Sequence, residues 1–400
     1  MTSTLTPPDV AAAAALRVER RPFDDIPRAT WDALAARNPW ATPFSGWAFQ
    51  RAWWDAYHGS AHDQTLVVTA TAGTAGGAEA GDLIAIVPLM HRHAVEPDDA
   101  ATATQIRHGD GTPLTPVAAT AKVIFFGASY HADYATILAD PSDLPAVSDA
   151  LAEHLAEDAR TADPEHPSEW DAIDLRRLRC GDPTADALAD AFGRREIAEG
   201  WTLNLEREDV CPVAHLPAGV GFEDYLATLD KKARHEIRRK IRRAEATGEV
   251  VLSRSTDPFT DLEAFIQLHQ HKWGAAGLFP TTPGGDASRV FIRRLFEAAG
   301  PDGPLRLSFL TIGGRRVAAG IHVETDDTVM FYNAGIDPAA RELSVGVVLI
   351  AELIRQAIET GKTRFDFLRG NEPYKYEWGS IDEPIQRLLV RRDAANPETR

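Results

Sequence analysis

The chain has 400 residues, of which 44% are hydrophobic and 25% are charged, and its formal net charge is −17. This composition is typical of a soluble globular protein. We expect no membrane insertion, because no apolar run approaches the roughly 20 residues of a spanning helix and residues 11–15 lack the basic leader of a signal peptide. Cys180 and Cys211 lie far apart in the sequence, so we expect a cytoplasmic location without a disulfide framework.

The negative charge is concentrated in the first half of the chain. Residues 1–200 contain 15 Lys and Arg against 30 Asp and Glu, a balance of −15, whereas residues 201–400 contain 27 against 29, a balance of −2. An acidic first half disfavours nucleic-acid binding by the whole chain and leaves it open for the second half. The length favours two domains of about 200 residues each.

The first half begins with a segment rich in Thr, Pro and Ala, residues 1–20, which predicts a loose arm. Residues 95–120 form a low-complexity run that predicts an insertion. Helices are predicted at residues 26–37, 47–57 and 144–159, and strands at 65–70, 83–89, 123–126 and 170–175.

We place the domain boundary near residue 210, which predicts domains at residues 1–210 and 211–400. The second half opens with one long predicted helix at residues 222–246, in which eight Lys and Arg between 231 and 243 surround an apolar stripe. Further helices are predicted at 259–273 and 289–299, and strands at 250–252, 305–312, 316–323, 328–333 and 385–391.

A strand, a loop of small residues, a helix and a second strand follow one another in residues 329–368. The loop ends at Ser344, Val345 and Gly346, and apolar residues then recur at helical spacing as far as Gly361. Such a βαβ unit crosses over right-handed, and its loop brings free N–H groups to a helix N-terminus, where phosphate binds readily. Polar residues after the second strand emerge beside this loop, and we expect the chemistry there.

This order of elements in residues 250–392 resembles the GNAT N-acetyltransferase fold. Two such halves in tandem resemble the FemAB-like branch, and more narrowly the cellulose-biosynthesis-type acetyltransferases. Five segments carry the resemblance: residues 231–243, Trp273-Gly274-x-x-Gly277-Leu278-Phe279, Leu343-Ser344-Val345-Gly346, Asp366-Phe367-Leu368-Arg369-Gly370-x-Glu372-x-Tyr374-Lys375-x-x-Trp378, and, in the first half, Phe126-Gly127 with Ala132-Asp133-Tyr134.

The resemblance implies an α/β (α+β) fold of two tandem domains, each a mixed, mostly antiparallel sheet flanked by helices. The second domain would hold the acyl donor and the catalytic site, and the first, degenerate domain would help to form the acceptor cleft. The implied reaction is transfer of an acetyl group from acetyl-CoA or another acyl-CoA to an amine or hydroxyl of a small molecule or saccharide, without a metal. Two alternatives stay open: an aminoacyl-tRNA-dependent transferase of the FemAB kind, with tRNA disfavoured by the acidic first half, and a degenerate pair that only binds a ligand.

The catalytic candidates follow the second strand. Glu372 is the candidate base, Tyr374 the candidate acid and Lys375 a charge stabiliser, because a base and an acid are needed near the acyl donor. For Asp366 we favour an orienting role over a direct one, with Arg369 as an ion-pair partner. The simpler alternative is a solvated turn with packing aromatic residues.

Candidate ligand-binding residues complete the predicted site. A cofactor would contact Ser344, Val345, Gly346, Val347 and Asn333, although Ser344 could equally be an ordinary helix cap. An acceptor would contact Asp133, Tyr134, Trp273, Arg369 and Trp378. His269 and His271 are two residues apart on a predicted helix and cannot share a face, so we reject a metal site there.

Overall fold

The computed structural model describes residues 16–74, 76–92, 114–161 and 168–392. Most of the predicted arm and most of the predicted insertion lie outside these residues. The strands are β1 (Leu16–Arg20), β2 (His62–Asp63), β3 (Leu66–Ala70), β4 (Leu83–Val87), β5 (Leu89–Arg92), β6 (Val123–Phe126), β7 (Leu138–Ala139), β8 (Ala172–Arg179), β9 (Trp201–His215), β10 (Val250–Arg254), β11 (Leu305–Ile312), β12 (Arg315–Glu324), β13 (Thr328–Ile336), β14 (Arg364–Asp366) and β15 (Ile381–Arg392).

The helices pack on both faces of these strands. They are α1 (Arg28–Arg37), α2 (Trp47–Tyr57), α3 (Leu144–Arg160), α4 (Pro183–Gly193), α5 (Glu196–Glu199), α6 (Phe222–Thr228), α7 (Lys231–Glu245), α8 (Pro258–Trp273), α9 (Pro283–Ala299), α10 (Val345–Glu359) and α11 (Pro373–Tyr376). In the described part of the chain, none of these helices combines the length and apolar character needed to cross a membrane.

One sheet of eleven strands runs through both halves in the order β10-β11-β12-β13-β14-β9-β15-β8-β6-β5-β2, and a smaller sheet has the order β1-β3-β4-β7. All neighbouring pairs are antiparallel except β13 with β14 and β6 with β8. The predicted α/β fold with mixed, mostly antiparallel sheets is therefore confirmed.

Strands β9 and β15 lie at the centre of the large sheet. β9 pairs with β14 on one side and with β15 on the other, and β15 pairs in turn with β8 of the first half. The predicted domain boundary at residue 210 falls within β9. It stays a prediction, and the last described strand, β15, lies between β9, which contains the boundary, and β8 of the first half.

The helices also join the two halves. Helix α2 of the first half packs along α9 of the second, where the rings of Phe49 and Phe291 meet edge to face at 5.3 Å. Phe291 also stacks on His131, with ring centroids 4.2 Å apart. One hydrophobic core thus contains residues of both halves.

The single long helix predicted at residues 222–246 is wrong, because the chain breaks between α6 and α7. Asp230 caps α7 by accepting hydrogen bonds from the N–H groups of Lys232 at 2.8 Å and Ala233 at 3.4 Å. In one continuous helix these N–H groups would bond to carbonyl groups of the preceding turn. Because the Asp230 carboxylate binds them instead, α7 begins here as a separate helix. Helices α4 and α5 and strand β9 were not predicted.

The fold contains the same βαβ unit twice. In the second half, β13, α10 and β14 form it, with Thr328–Met330 paired in parallel to Arg364–Asp366. In the first half, β6, α3 and β8 form it, with Val123–Phe125 paired in parallel to Ala172–Asp174. Each parallel pairing covers three residues on each strand.

Candidate active site

A cleft opens where β13 and β14 separate. Their pairing ends at Met330 and Asp366, after which β13 continues to Ile336 and the chain beyond β14 turns away. The cleft has a volume of about 890 Å³, and its walls come from both halves of the chain. No described strand pairs with this edge of β13 beyond Met330, so its backbone groups are available to a ligand.

A β-bulge shapes the β13 wall. Asn333 lies opposite Ile321 and Phe331 lies opposite His322, so Tyr332 between them has no partner on β12. Bulges of this kind redirect the strand and are common beside active sites. Tyr332, Asn333 and the neighbouring Phe331 all line the cleft.

The N-terminus of α10 forms the second part of this wall. Ser344 is in the left-handed conformation (φ 54°), and its side chain makes no capping hydrogen bond, so it is not an ordinary helix cap. Gly346 and Val347 line the cleft, whereas Val345 is buried in the core. A β-carbon at Gly346 would meet no atom within 4 Å, so this end of the helix is open and suited to an anion.

Asp366 lies at the end of β14, behind the cleft. Its carboxylate accepts hydrogen bonds from the N–H of Leu368 and the hydroxyl of Tyr134, both at 2.7 Å. Leu368 has a positive φ of 56°, a strained conformation that the first bond helps to hold. Burial raises the pKa of Asp366 to about 6, against the opposing effect of the Tyr134 hydroxyl. Asp366 therefore fixes the turn and ties it to the first half.

Lys375 binds the backbone of the same turn. It is buried, and its Nζ donates to the carbonyl oxygens of Leu368, Arg369 and Gly370 at 2.7 to 2.9 Å. The same Nζ lies 3.0 Å from Oε2 of Glu372. These contacts hold the backbone of the turn in place. The predicted role of Lys375 as a charge stabiliser stays a prediction.

Glu372 and Tyr374 both line the cleft, with the Tyr374 side chain at its exposed rim. Trp273, at the end of α8, lies at the same rim and is 45% exposed. The Nζ of Lys272 lies 4.3 Å from the centre of the Trp273 ring, a cation–π distance. Burial lowers the pKa of Lys272, while Glu372 opposes that shift.

The first half supplies a polar and aromatic wall. Asp133 accepts a hydrogen bond from Nε of Arg369 at 3.1 Å, which joins the halves across the cleft. His131 shares a hydrogen bond of 2.8 Å between its Nε2 and the Tyr57 hydroxyl, and its carbonyl accepts from Tyr332 at 3.2 Å. Burial, and to a smaller extent Arg92, lowers the pKa of His131 to about 3, so the ring is neutral.

Most of the predicted site residues meet at the cleft, and the others lie behind it. Those that line it are Asn333, Gly346, Val347, Glu372, Tyr374, Lys375, Asp133, Trp273 and Arg369. Those that do not line it are Ser344, Val345, Asp366, Tyr134 and Trp378. Trp378 is a core side chain, 1% exposed, whose carbonyl accepts a hydrogen bond from Tyr225.

The sequence prediction missed several lining residues, among them Asp209, Lys272 and Tyr332. The aromatic residue next to Asn333 was a usable signal for Tyr332. Asp209 gave none, because its direction depends on strand pairing. Within the described ranges, no three His, Cys, Asp or Glu side chains are grouped so that they could hold a metal ion.

Comparison with known families gives one match, to the acetyltransferase (GNAT) domain, over residues 231–376. This span contains α7 to α10, β13, β14 and the turn with Glu372 and Tyr374. No curated protein sequence matches the chain.

Solved structures extend the likeness to the first half. The chain is similar to FemX, at 10% identity over 92% of this chain and 96% of that one, with a TM-score of 0.56. It is also similar to a conserved protein of unknown function from Bacteroides thetaiotaomicron VPI-5482, at 15% identity, 94% and 100% coverage and a TM-score of 0.52. L-PGS from Bacillus licheniformis gives 11% identity, 94% coverage of both chains and a TM-score of 0.51.

At these identities the structures share the fold alone, while the family match lies in the second half of the chain, over residues 231–376. The repeated βαβ unit accounts for the tandem character of the fold. Residues 231–376 therefore match an acetyltransferase (GNAT) domain, and the chain as a whole shares the fold of FemX.

Proposed function

We propose that this protein transfers an acyl group, foremost acetyl, from an acyl-CoA to an amine or hydroxyl of a small molecule or saccharide. The observation that carries the proposal is the separation of β13 from β14 beside the open N-terminus of α10. This arrangement offers a strand edge and a helix end to one elongated anionic ligand, which matches the chemistry of acyl-CoA.

The donor would lie along β13. Backbone groups beyond Met330 would bind its amide-containing arm as an added strand binds a sheet edge. The N–H groups of α10 near Gly346 would bind its pyrophosphate, since a helix N-terminus favours anions. Asn333 and Val347, which line the same wall, would contact the donor between these two points.

The acceptor would approach from the first-half wall. A bond forms between the acceptor nitrogen or oxygen and the thioester carbonyl carbon as the carbon–sulfur bond breaks. The acceptor proton passes to Glu372, and the departing thiolate takes a proton from Tyr374. Solvent at the open rim then removes the proton from Glu372 and returns one to Tyr374.

The hydrogen bonds that Asp366 and Lys375 make to the turn support these assignments. Asp366 and Lys375 fix the backbone that carries Glu372, so the candidate base is held in place before a ligand binds. A preorganised group avoids the cost of being ordered during the reaction. The contact of 3.0 Å between Lys375 Nζ and Glu372 Oε2 also helps to hold the Glu372 side chain in position.

The FemAB-like resemblance provides the second candidate, an aminoacyl-tRNA-dependent transfer. One observation favours it: Lys231, Lys232 and Arg242 are exposed on α7 and have no acidic partner among the described residues. The other five cations of this helix have partners, as ion pairs or as hydrogen bonds to carbonyl groups. Three exposed cations are few for tRNA binding, and the first half has a balance of −15, so we favour acyl-CoA.

Calorimetry with acetyl-CoA tests the proposal. We expect saturable binding of one ligand per chain and, because the ligand binds the folded state, a higher melting temperature. Failure to bind at millimolar acetyl-CoA would contradict the proposal. Retention of aminoacyl-tRNA that weakens steeply with salt would instead support the second candidate.

We also propose a cytoplasmic location. Cys180 is exposed and Cys211 is buried, and both are free thiols. A reducing compartment is the environment in which exposed free thiols persist.

A further inference from the structure

A second, smaller pocket lies at the C-terminal end of α10, against the sheet. It has a volume of about 100 Å³ and is formed by β12, β13 and the last turns of α10. Its polar lining residues are His322, Glu324, Gln356, Glu359 and Thr360. The cleft lies at the other end of the same helix, and 15 helical residues span about 22 Å, so the two sites are separate.

One wall of this pocket contains a buried histidine with an unused nitrogen. His322 is 2% exposed, and its Nε2 shares a hydrogen bond of 3.2 Å with Oε1 of Glu324. This bond is the largest of the effects that lower the pKa of Glu324 to about 2, so the carboxylate is charged and Nε2 carries the proton. In the neutral ring Nδ1 then has a free lone pair, and it is buried without a hydrogen-bond partner among the described residues. Such a buried acceptor costs free energy until a donor binds it.

The uncharged polar residues of the pocket also present acceptors. Nε2 of Gln356 donates to the carbonyl of Leu252 at 3.4 Å, which leaves its Oε1 for a ligand. The Thr360 hydroxyl donates to the carbonyl of Gln356 at 2.8 Å, which leaves lone pairs on its oxygen. Within the described ranges, no Lys or Arg lines the pocket. The pocket therefore suits a ligand that donates hydrogen bonds.

The charges at this end of α10 favour a cation. The C-terminus of a helix carries a partial negative charge, which basic residues usually offset. The last residue of α10 is Glu359, however, and its last turn contains no basic residue. Glu324 is paired with Arg306 at 3.1 Å, whereas Glu359 has no ion-pair partner in the described part of the chain. Lys362, just beyond the helix, donates to carbonyl groups of the loop after β12 instead.

We propose that this pocket binds a small organic ammonium ion, such as a short protonated primary amine. Its N–H groups would donate to Nδ1 of His322 and to the Glu359 carboxylate, and its charge would offset that of Glu359 and of the helix end. Val329 and Leu353, which line the same pocket, would contact its short carbon chain. This second site does not depend on the proposed acyl transfer.

Saturation-transfer NMR on the ligand methyl signal tests the proposal with the full chain at pH 8, without acetyl-CoA. Methylammonium should bind with a millimolar Kd. Tetramethylammonium has the same charge and no N–H group, so it should bind at least about tenfold more weakly. Both salts are compared at equal ionic strength, so that the general attraction of cations to an acidic protein is screened equally.

Two variants locate the binding site. Glu359→Gln and His322→Phe should each weaken methylammonium binding by about tenfold or more, because each removes one of the proposed acceptors. Glu245→Gln is the matched control, since Glu245 is the exposed last residue of α7 and lies outside the pocket, and it should bind like wild type. Because Glu359 is exposed, Glu359→Gln should fold normally, and it decides the matter if His322→Phe does not fold.

The proposal is overturned if methylammonium does not bind at millimolar concentration, or if tetramethylammonium binds equally well. It is also overturned if Glu359→Gln binds methylammonium like wild type. An equal loss in Glu245→Gln would overturn it as well, because the number of charges, and not their position, would then determine binding.

Discussion

The two βαβ units of this protein have the same topology and opposite surroundings at their helix N-termini. In the first half, the carboxylate of Asp143 precedes α3 and accepts hydrogen bonds from the N–H of Gly76 at 2.6 Å and the hydroxyl of Thr74 at 3.2 Å. Asp143 is buried at the N-cap position of α3, and although its carboxylate makes no hydrogen bond to the helix, it holds the loop of Thr74 and Gly76 beside this helix end. In the second half, Gly346 leaves the corresponding end of α10 open to the cleft.

The parallel strands show a similar contrast. Asp174 on β8 and Asp366 on β14 occupy the same third position of the two parallel pairings. Asp174 is bonded to Arg387 at 2.7 and 2.8 Å and to Arg176, whereas Asp366 accepts from the neutral hydroxyl of Tyr134. Burial would raise the pKa of Asp174, but the two guanidinium groups outweigh it and lower the pKa. In the first unit the aspartate is thus paired with guanidinium groups, whereas in the second it is bonded to a neutral hydroxyl beside a helix end that is open to the cleft.

The largest expected effect is on turnover. Glu372→Gln and Tyr374→Phe should each lower kcat about 100-fold or more, because a positioned acid or base typically contributes roughly 100- to 10,000-fold. Steady-state release of free thiol from acetyl-CoA measures this, once an acceptor is in hand. Glu377→Gln, on the same segment and outside the cleft, is the matched control. Near-normal turnover of both variants would place the acid–base chemistry elsewhere, with Asp133 as the next candidate.

The two equivalent aspartates provide the second prediction. Asp174→Asn should lower the free energy of unfolding at pH 7 by about 3 to 5 kcal/mol, because it removes the carboxylate that Arg387 and Arg176 share. Glu206, at 3.1 Å, is then the one carboxylate among the described residues that contacts the buried Arg387. Asp366→Asn should cost far less or even stabilise the protein. Denaturant unfolding of both variants measures the difference, and equal losses would contradict the contrast between the units.

The pH dependence of Asp366 has a definite sign. Its pKa in the folded protein, about 6, exceeds its ordinary value of 3.8, so between these pH values the folded state binds more protons than the unfolded state. The stability of the wild type relative to Asp366→Asn should therefore fall as pH rises from about 4 to 6, by up to about 3 kcal/mol, and then level off. A difference that grows in the opposite direction would show that the carboxylate is stabilised in its charged form.

The fourth prediction compares the two helix ends. Gly346→Asp places a carboxylate where the donor phosphate would bind, and we expect roughly 10- to 100-fold weaker acetyl-CoA binding with little change in melting temperature. Pro145→Asp makes the same change of charge at the second position of α3, where Pro145 is exposed. This control should bind acetyl-CoA like wild type, and a loss in both variants would mean that charge alone, and not the position, weakens binding.

The sequence predicted the second βαβ unit because its signals are local. A strand, small residues, a helical apolar period and a second strand follow one another between Val329 and Leu368, and polar residues follow directly. Two errors could have been avoided from local signals: Asp230 is a typical helix cap, and Asp182 followed by Pro183 marks the start of α4.

Other parts of the site could not be predicted in this way. Asp209 lines the cleft only because two neighbouring bulges, on β9 and β8, shift the pairing with β15. That pairing joins strands far apart in the sequence, and no local pattern specifies its register. The contact between Asp133 and Arg369 likewise depends on how the halves pack. For this reason the sequence predicted the β13 and α10 wall of the cleft more completely than the wall from the first half.

Hydrogen exchange with and without acetyl-CoA tests the central claim most directly, since it reports both units in one experiment. Binding of acetyl-CoA should slow exchange at residues 331–336 of β13 and at 345–347 of α10. Exchange at residues 144–147, the start of α3, should not change. Protection at α3, or at neither helix end, would contradict the claim that only the second unit is open to the donor.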